Sequence, residues 1–204
     1  MTRKGRVLAI CLGLVVVVGN AGSGKIGKLI EKIRVRLQEP AQSEPPEETT
    51  LRVFLTGYSF WDNTPPQSTQ IARPVVHDEA GGTGTYEDPV TIAVGHRIEV
   101  DEHSLDFPQG TRFYLPGLQK YAVVEDLCGD GDTPQTGPCH IGYRGHPWLD
   151  LYIGGEQHDA EQAEACARQI TKIQPVLIHP RADHPVLPGE VLQTACAMRM
   201  EDPS

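Results

Sequence analysis

Positive charge is scarce in this sequence. Its 204 residues include 18 Lys and Arg against 27 Asp and Glu, which gives a formal net charge of −9. Binding of nucleic acid requires a basic patch that displaces counterions from the phosphates. The charge balance therefore excludes nucleic acid as an expected partner, although an acidic surface alone selects no other one.

Long hydrophobic runs are also missing. The run Val7–Val18 is well short of the ~20 residues that span a bilayer. It follows three basic residues and precedes the small residues of segment 19–24, an order typical of a signal peptide. We predict that residues 1–24 are a signal peptide or an uncleaved anchor, and that the protein is secreted or extracytoplasmic.

The next 26 residues form two segments of different composition. In 25–38, apolar residues recur at helical spacing between Lys and Arg, which predicts a basic amphipathic helix on an anionic membrane surface or against the domain. Segment 19–25 matches G-x-x-x-x-G-K, but Ile26 replaces the magnesium-binding Ser or Thr and too few residues follow for a nucleotide domain. Residues 39–50 are rich in Pro and Glu, and we predict a disordered linker there.

Metal-binding motifs are absent as well. The sequence has no C-x-x-C pair, and its eight histidines are scattered without an H-E-x-x-H motif. Four of the five cysteines follow the linker, and an even number behind an export signal favours two disulfides over a zinc site or free thiols. We expect no metal and no other cofactor.

Turn-forming residues and short apolar runs are what the remaining chain has in abundance. With 21 Gly and 17 Pro, the sequence breaks into short strand-like runs separated by turn signals. The only good helix candidate is His158–Ile173, where Asp159 and Glu161 suit the first turn. This pattern predicts one mainly β domain over 51–204, a sandwich or barrel. The predicted strands are Leu51–Leu55, Val90–Val94, Arg97–Val100, Arg112–Leu115, Tyr121–Glu125, Leu149–Ile153 and Pro175–Ile178.

Four motifs in a fixed order carry a resemblance to a known family. Leu55–Tyr58, Gly110–Gly117, Tyr121–Asp126 and Leu149–Gly154 resemble the double-psi β-barrel of the three-aspartate domain and of membrane-bound lytic transglycosylase A. Expansins and barrel-type endoglucanases are more distantly similar, and a secreted barrel group of fungi and actinobacteria is the nearest in sequence. The resemblance implies a six-stranded double-psi β-barrel with one short helix, stapled by disulfides.

Asp150 is the candidate catalytic acid. It lies in an apolar strand between Trp148 and Tyr152, and an apolar environment raises the pKa of a carboxylic acid toward the range useful for proton donation. In the resembling transglycosylase, the aspartate at this motif position is the single acid, and the product is a 1,6-anhydro sugar. Trp148 and Tyr152 carry aromatic rings of the kind that stack on sugars.

The resemblance places the other candidates nearby. Asp126 would lie on a neighbouring strand and assist Asp150, while Thr56 and Tyr58 would orient substrate or acid with their hydroxyl groups. Such aspartates can instead cap backbone amides in loops, so a structural role is the alternative for both. The family's first aspartate corresponds to Asp101 or Asp106.

The chain departs from the family after Asp126, where an expanded loop follows. We predict that the disulfide Cys128–Cys139 closes this loop and that Cys166–Cys196 ties the helix to the C-terminal tail. The predicted function is a monomeric, secreted barrel that acts on cell-wall polysaccharide. It is a glycan lyase, a non-catalytic wall-binding or wall-loosening module, or an extracellular protein-binding scaffold.

Overall fold

The computed structural model describes residues 46–100 and 102–196, and the predictions for residues 1–45 lie outside this part of the chain. The described part is mainly β, as predicted. Two short helices, α1 (Pro138–Ile141) and α2 (Ala160–Ile170), accompany a 3₁₀ turn at Pro134–Thr136 and a π turn at Leu192–Cys196. The strands are β1 (Thr49–Tyr58), β2 (Val90–Val94), β3 (His96–Glu99), β4 (Glu102–Leu105), β5 (Arg112–Leu115), β6 (Lys120–Leu127), β7 (Trp148–Tyr152) and β8 (Lys172–Ile178).

Six of these strands close into a barrel in the order β1-β7-β2-β6-β5-β8. The pairs β1–β7 and β2–β6 are parallel, and the other four pairs are antiparallel. Strands β3 and β4 form a separate two-stranded sheet. The prediction of a closed six-stranded barrel is confirmed.

The strand order has an internal symmetry. Exchanging β1, β2 and β5 with β6, β7 and β8, respectively, leaves every neighbour relation in the barrel unchanged. The exchange maps one parallel pair, β1–β7, onto the other, β2–β6. The barrel therefore consists of two topologically equivalent, interlocked halves of three strands each.

The barrel interior is filled by the side chains that point inward from every second position of a strand. Along β1, Val53 and Leu55 are fully buried, while the residues between and after them are partly exposed. This is the period of two expected for a strand with one face in the core. Strand β2 is buried along its whole length, as is β6 except for its last residue. The loop before β2 contacts both strands, since its backbone N–H groups bond to side chains of Thr91, Glu125 and Asp126. The fully buried large apolar side chains include Leu55, Ile92, Phe113, Leu115, Leu149, Leu151 and Ile153.

Helix α2 packs against β1 and explains a glycine in the first motif. A Cβ atom at Gly57 would lie 2.8 Å from Cδ1 of Ile170 and 3.0 Å from Cγ2 of Ile153. Glycine therefore permits the helix to approach the strand. The helix begins with a capping box, in which the Asp159 carboxylate accepts the Gln162 N–H at 2.8 Å. The predicted helix is confirmed, with bounds two or three residues shorter at each end.

Both predicted disulfides are present. Cys128–Cys139 closes the loop after β6, and Cys166–Cys196 joins α2 to the C-terminal π turn. Such bonds persist in an oxidising compartment and fit an extracellular protein.

The barrel begins slightly earlier than the predicted domain. Thr49 and Thr50, assigned to the linker from sequence, pair with Ile178 and Leu177 of β8. Glu48 accepts a hydrogen bond from the Arg181 N–H at 2.8 Å. These polar residues join the strand because backbone pairing does not require apolar side chains. Among the described residues, none of the helices has the length and apolar character needed to span a membrane.

Candidate functional site

Four residues form one row across neighbouring strands. Asp126 of β6 pairs with Ala93 of β2, Ala93 pairs with Asp150 of β7, and Asp150 pairs with Thr56 of β1. Adjacent strands lie about 4.8 Å apart, so the backbones of the two aspartates are separated by roughly 10 Å. The prediction that Asp126 lies on a strand next to that of Asp150 is therefore wrong, because β2 separates β6 from β7. The structure nevertheless brings the two predicted catalytic residues and Thr56 into one row.

A chain of hydrogen bonds orients Asp150. The Trp148 indole N–H donates to Thr56 Oγ1 at 2.7 Å, and Thr56 Oγ1 donates to Asp150 Oδ1 at 2.6 Å. Because an indole N–H can only donate, the Thr56 hydroxyl accepts that bond and directs its own hydrogen to the carboxyl group. The other carboxyl oxygen of Asp150, Oδ2, takes no part in this series of hydrogen bonds.

The surroundings of Asp150 favour its protonated form. The pKa of Asp150 is raised to about 7, chiefly by burial and additionally by the negative charges of Asp62, Asp126 and Asp130, against the opposing effect of the Thr56 hydrogen bond. The residue is nevertheless partly exposed. A carboxyl group with this pKa holds a proton near neutral pH and can transfer it, which is the property required of a general acid.

Asp126 has a different environment. It is 6% exposed, and its Oδ1 accepts the backbone N–H groups of Ala72 and Leu127, each at 2.9 Å. Its Oδ2 accepts the Tyr58 hydroxyl at 2.9 Å. Burial raises the pKa of Asp126 although these three hydrogen bonds oppose the rise. Asp126 therefore anchors the loop at Ala72 while lining a cleft of about 540 Å³.

An aromatic face adjoins Asp150. The Trp148 ring meets the Phe54 ring edge-on at 4.7 Å between centroids, and Phe54 lies 4.3 Å from the ring of Tyr143. Residues two apart on a strand share a face, so Phe54 and Trp148 lie on the same side of the barrel as Thr56 and Asp150. Tyr143 is 38% exposed and was not predicted as a site residue. It comes from the loop before β7, where no sequence signal links it to Phe54.

Tyr152 shares a face of β7 with Asp150 but lies two residues further along the strand. Its ring packs edge-on against that of Tyr58 at 5.3 Å, and it lines a separate pocket of about 300 Å³ at the carboxyl end of β7. The structure therefore brings together Asp150, Thr56 and Trp148 directly and Asp126 with Tyr58, but it places Tyr152 at a second pocket.

Sequence reasoning missed a buried ionic network beside Asp126. Glu125 is fully buried, and its Oε2 lies 2.8 Å from His77 Nδ1, while His77 Nε2 lies 2.8 Å from Asp88 Oδ1. Burial lowers the pKa of His77, but the two carboxylates outweigh that effect and hold it above its usual value. The two bonded pairs are 48 and 11 residues apart in sequence, and no known motif links them.

No metal centre emerges from the described ranges. Within residues 46–100 and 102–196, His, Cys, Asp and Glu side chains do not gather in groups of three or more that could share an ion. Of the two candidates for the family's first aspartate, Asp101 lies outside the described residues, and Asp106 Oδ1 lies 2.6 Å from His140 Nδ1.

Comparison with known proteins identifies the family to which this chain belongs. The family model described as DDB_G0273701 N-terminal domain matches residues 50–197, which is the barrel from β1 to the second disulfide. The chain belongs to this family. The uncharacterized protein DDB_G0273701/DDB_G0273221 of Dictyostelium discoideum is 38% identical over 102 residues, covering 49% of this chain. The DDB_G0273701 N-terminal domain is thus found within a longer relative, since the matched region is 38% of that protein. No solved structure matches the chain significantly.

Proposed function

We propose that this barrel binds a cell-wall polysaccharide and cleaves it as a glycan lyase of the lytic transglycosylase type, with Asp150 as general acid. The observation that carries the proposal is the Asp150 carboxyl group, which has a pKa of about 7 and is oriented by Thr56 next to an aromatic face. Few structural roles require a carboxyl group to remain protonated near neutral pH.

The proposed reaction needs only one acid. Asp150 donates its proton to the glycosidic oxygen as the bond from that oxygen to the anomeric carbon breaks. The 6-hydroxyl of the same sugar then attacks the anomeric carbon and returns a proton to the Asp150 carboxylate, which yields a 1,6-anhydro sugar. Hydrolases of the two-carboxylate type need a second free carboxylate, whereas Asp126 already accepts three hydrogen bonds.

The aromatic face would hold the sugar chain. Aromatic rings of Phe54, Tyr143 and Trp148 offer apolar surfaces that suit the faces of sugar rings. Because Trp148 also donates to Thr56, a bound sugar against the indole would lie close to the acid.

A non-catalytic wall-binding module is the second candidate. It is favoured by Asp126, whose bonds to backbone amides are those of a structural aspartate. Such a module would keep the aromatic face and the cleft without turnover.

The strand order and the disulfides support two further proposals, on the type of barrel and on export. We propose a double-psi barrel because the strand order is unchanged by exchange of its halves, as two interlocked equivalent motifs require. We also propose that the protein is exported, which the two disulfides support.

Substitution Asp150→Asn tests the proposal. It keeps the shape and the Thr56 bond but removes the transferable proton, so cleavage should fall at least ~10²-fold. Cleavage by the unsubstituted protein should decline above a pH of about 7 as Asp150 loses its proton. Mass spectrometry of wall glycans incubated with the protein should detect anhydro-sugar ends.

Stability provides the matched measurement. The folded state raises the pKa of Asp150 from 3.8 to about 7, so ionisation destabilises it as pH rises through that window. At pH 8 the Asn variant should therefore be more stable, by on the order of 1–3 kcal/mol. The control Asp126→Ala removes the acceptors of the Ala72 and Leu127 N–H groups and of the Tyr58 hydroxyl, so it should lose stability while keeping most activity per folded molecule. A destabilised but fully active Asp150→Asn protein would contradict the catalytic assignment, and sugar binding without products would favour the module.

A further inference from the structure

The pocket at the carboxyl end of β7 is strongly acidic. Asp88, Glu156 and Glu190 line it, and none of its lining residues is Lys, Arg or His. Its volume of about 300 Å³ is at the lower end of the range of small-molecule sites, so it accommodates a group the size of one sugar ring. We call it the acidic pocket.

Tyr152 is a second, independent feature of the acidic pocket. Tyr152 is 5% exposed and lines the acidic pocket, and within the described part of the chain its hydroxyl has no hydrogen-bond partner in the protein. The hydroxyl is not fully enclosed, since the buried side-chain atoms without a partner in this part of the chain are His96 Nδ1 and His158 Nε2. Tyr152 lines the acidic pocket together with Glu156 and Glu190, and burial, followed by the negative charges of these two residues and of Glu79, raises the pKa of Tyr152. Tyr152 thus contributes to the wall of the acidic pocket a side chain whose hydroxyl has no partner among the described residues.

The negative charge of the acidic pocket is only partly used within the protein. Glu190 accepts the Gly155 N–H at 2.7 Å, and Asp88 is bound by His77 and Thr83. Glu156 is exposed and has no ion-pair partner among the described residues. The buried ammonium of Lys120 is close to the wall, but it donates to the carbonyl groups of Thr83, Leu187 and Gly189.

An organic cation suits the acidic pocket better than a metal ion. No three carboxylates of the described residues are close enough together to share a metal ion. An ammonium group needs only one or two carboxylates, because its remaining N–H donors can bond to hydroxyl, amide or carbonyl oxygens of the wall. Tyr152, Gln157 and Thr83 add polar groups that suit the hydroxyls of a sugar.

We propose that the acidic pocket binds a hexosamine unit with a free, protonated amine, at a position separate from Asp150. The inference deepens the proposed function, on which it rests for the polysaccharide nature of the ligand. It makes a partly de-N-acetylated glycan the preferred substrate class.

Titration calorimetry on full-length Asp150→Asn protein tests the site without consuming the ligand. The probes are a glucosamine trimer and an N-acetylglucosamine trimer at pH 6. The glucosamine trimer should bind at least ~10-fold more tightly, because a charge-assisted hydrogen bond is worth more than a neutral one. Raising the salt concentration should weaken its binding, since the attraction is partly ionic.

Single substitutions locate the binding. Glu156→Gln should weaken binding of the glucosamine trimer about 10-fold, and Tyr152→Phe about 3-fold. Glu87→Gln is the matched control, because Glu87 is exposed, carries the same charge and does not line the acidic pocket. The affinity of the Glu87→Gln protein for the glucosamine trimer should stay unchanged. Thermal unfolding of each variant checks that the fold is kept.

Several outcomes would overturn the inference. Equal affinity for the two trimers, unchanged affinity in both pocket variants, or equally tight binding of trilysine would each do so. Failure of the proposed function is distinguishable: amine-selective binding with no cleavage by the unsubstituted protein leaves the acidic pocket in place without the lyase. If the unsubstituted protein cleaves both glycans at equal rates and the two trimers bind with equal affinity, the lyase activity is retained and the proposed role of the acidic pocket is rejected.

Discussion

At the scale of single residues, the described part of the barrel fully buries two ionic groups, Glu125 and Lys120, and satisfies each in a different way. Glu125 accepts three backbone N–H groups from Val75, Val76 and His77 and is paired with the His77 ring. Lys120 has no carboxylate partner among the described residues and donates to three carbonyl oxygens, and burial lowers its pKa to about 8. An unsatisfied charge at either position would be costly, so both networks fix the loops that supply the partners.

His77 should make folding stability depend on pH. Its folded pKa is raised above 6.5 because Glu125 and Asp88 outweigh burial, so its contribution is fully present below about pH 6.5 and is lost as pH rises through the folded pKa. We expect His77→Gln to lose on the order of 1–3 kcal/mol at pH 6 and less at pH 9, measured by urea unfolding.

The control for His77 is His146→Gln, since the His146 side chain forms no ion pair in the described ranges. The difference in unfolding free energy between His146→Gln and the unsubstituted protein should not follow the His77 profile. A pH-independent loss in His77→Gln would show that the side chain acts through packing alone.

Residues of the candidate site differ in how far sequence could identify them. Asp150 could be found because its strand is apolar on both sides and resembles a family motif, so both burial and location follow from local sequence. His77 could not, because its partners come from β6 and from a loop that only the barrel brings together. Tyr143 and the acidic pocket depend in the same way on loop placement.

At the scale of elements, strand positions were predictable and their lengths were not. Val90–Val94 and Arg112–Leu115 coincide with the predicted strands, because Gly and Pro turns bound both segments closely. Strand β1 extends beyond its apolar run at both ends, since pairing with β7 and β8 recruits polar residues. Strand β4, which reads Glu-His-Ser-Leu, carries no strand-like apolar pattern and was missed.

The two disulfides should contribute unequally to stability. Cys166–Cys196 spans 30 residues and Cys128–Cys139 spans 11, and the loss of chain entropy on cross-linking grows with the length of the loop. Chain-entropy estimates give about 3.6 kcal/mol for the first and about 2.8 kcal/mol for the second. Cys166 and Cys196 are also fully buried, so their bond joins α2 to the tail inside the core.

Paired alanine variants measure this difference. The double variant Cys166→Ala, Cys196→Ala should lose more unfolding free energy in urea than Cys128→Ala, Cys139→Ala, and each should remain cooperative. An equal or larger loss from the Cys128–Cys139 pair would mean that the loop after β6 is more central to the fold than its length implies.

At the scale of the whole molecule, barrel closure was predictable through a resemblance rather than through physics. Short strands with regular turns allow a sandwich as well as a barrel, and local sequence does not encode which strands become neighbours. The parallel pairs β1–β7 and β2–β6 join segments far apart in the chain. The only indication of which strands pair was the order of the four motifs that resemble a known barrel family.

The first residues of the barrel provide a test of where the folded unit begins. A chain that begins at Pro46 retains Glu48, Thr49 and Thr50, as well as both disulfides and the whole core, so it should unfold cooperatively near the temperature of the full chain. A chain that begins at Leu51, the predicted domain start, loses two strand pairs with β8 and the bonds of Glu48 to Arg181 and His184. That loss should be on the order of 1–3 kcal/mol, which lowers the midpoint by roughly 3–10 °C. Calorimetry of the full chain and of the two shortened chains measures these midpoints. Equal midpoints for the two shortened chains would show that the first residues of β1 contribute nothing to stability. A non-cooperative transition of the chain that begins at Pro46 would show that residues before Pro46 belong to the core.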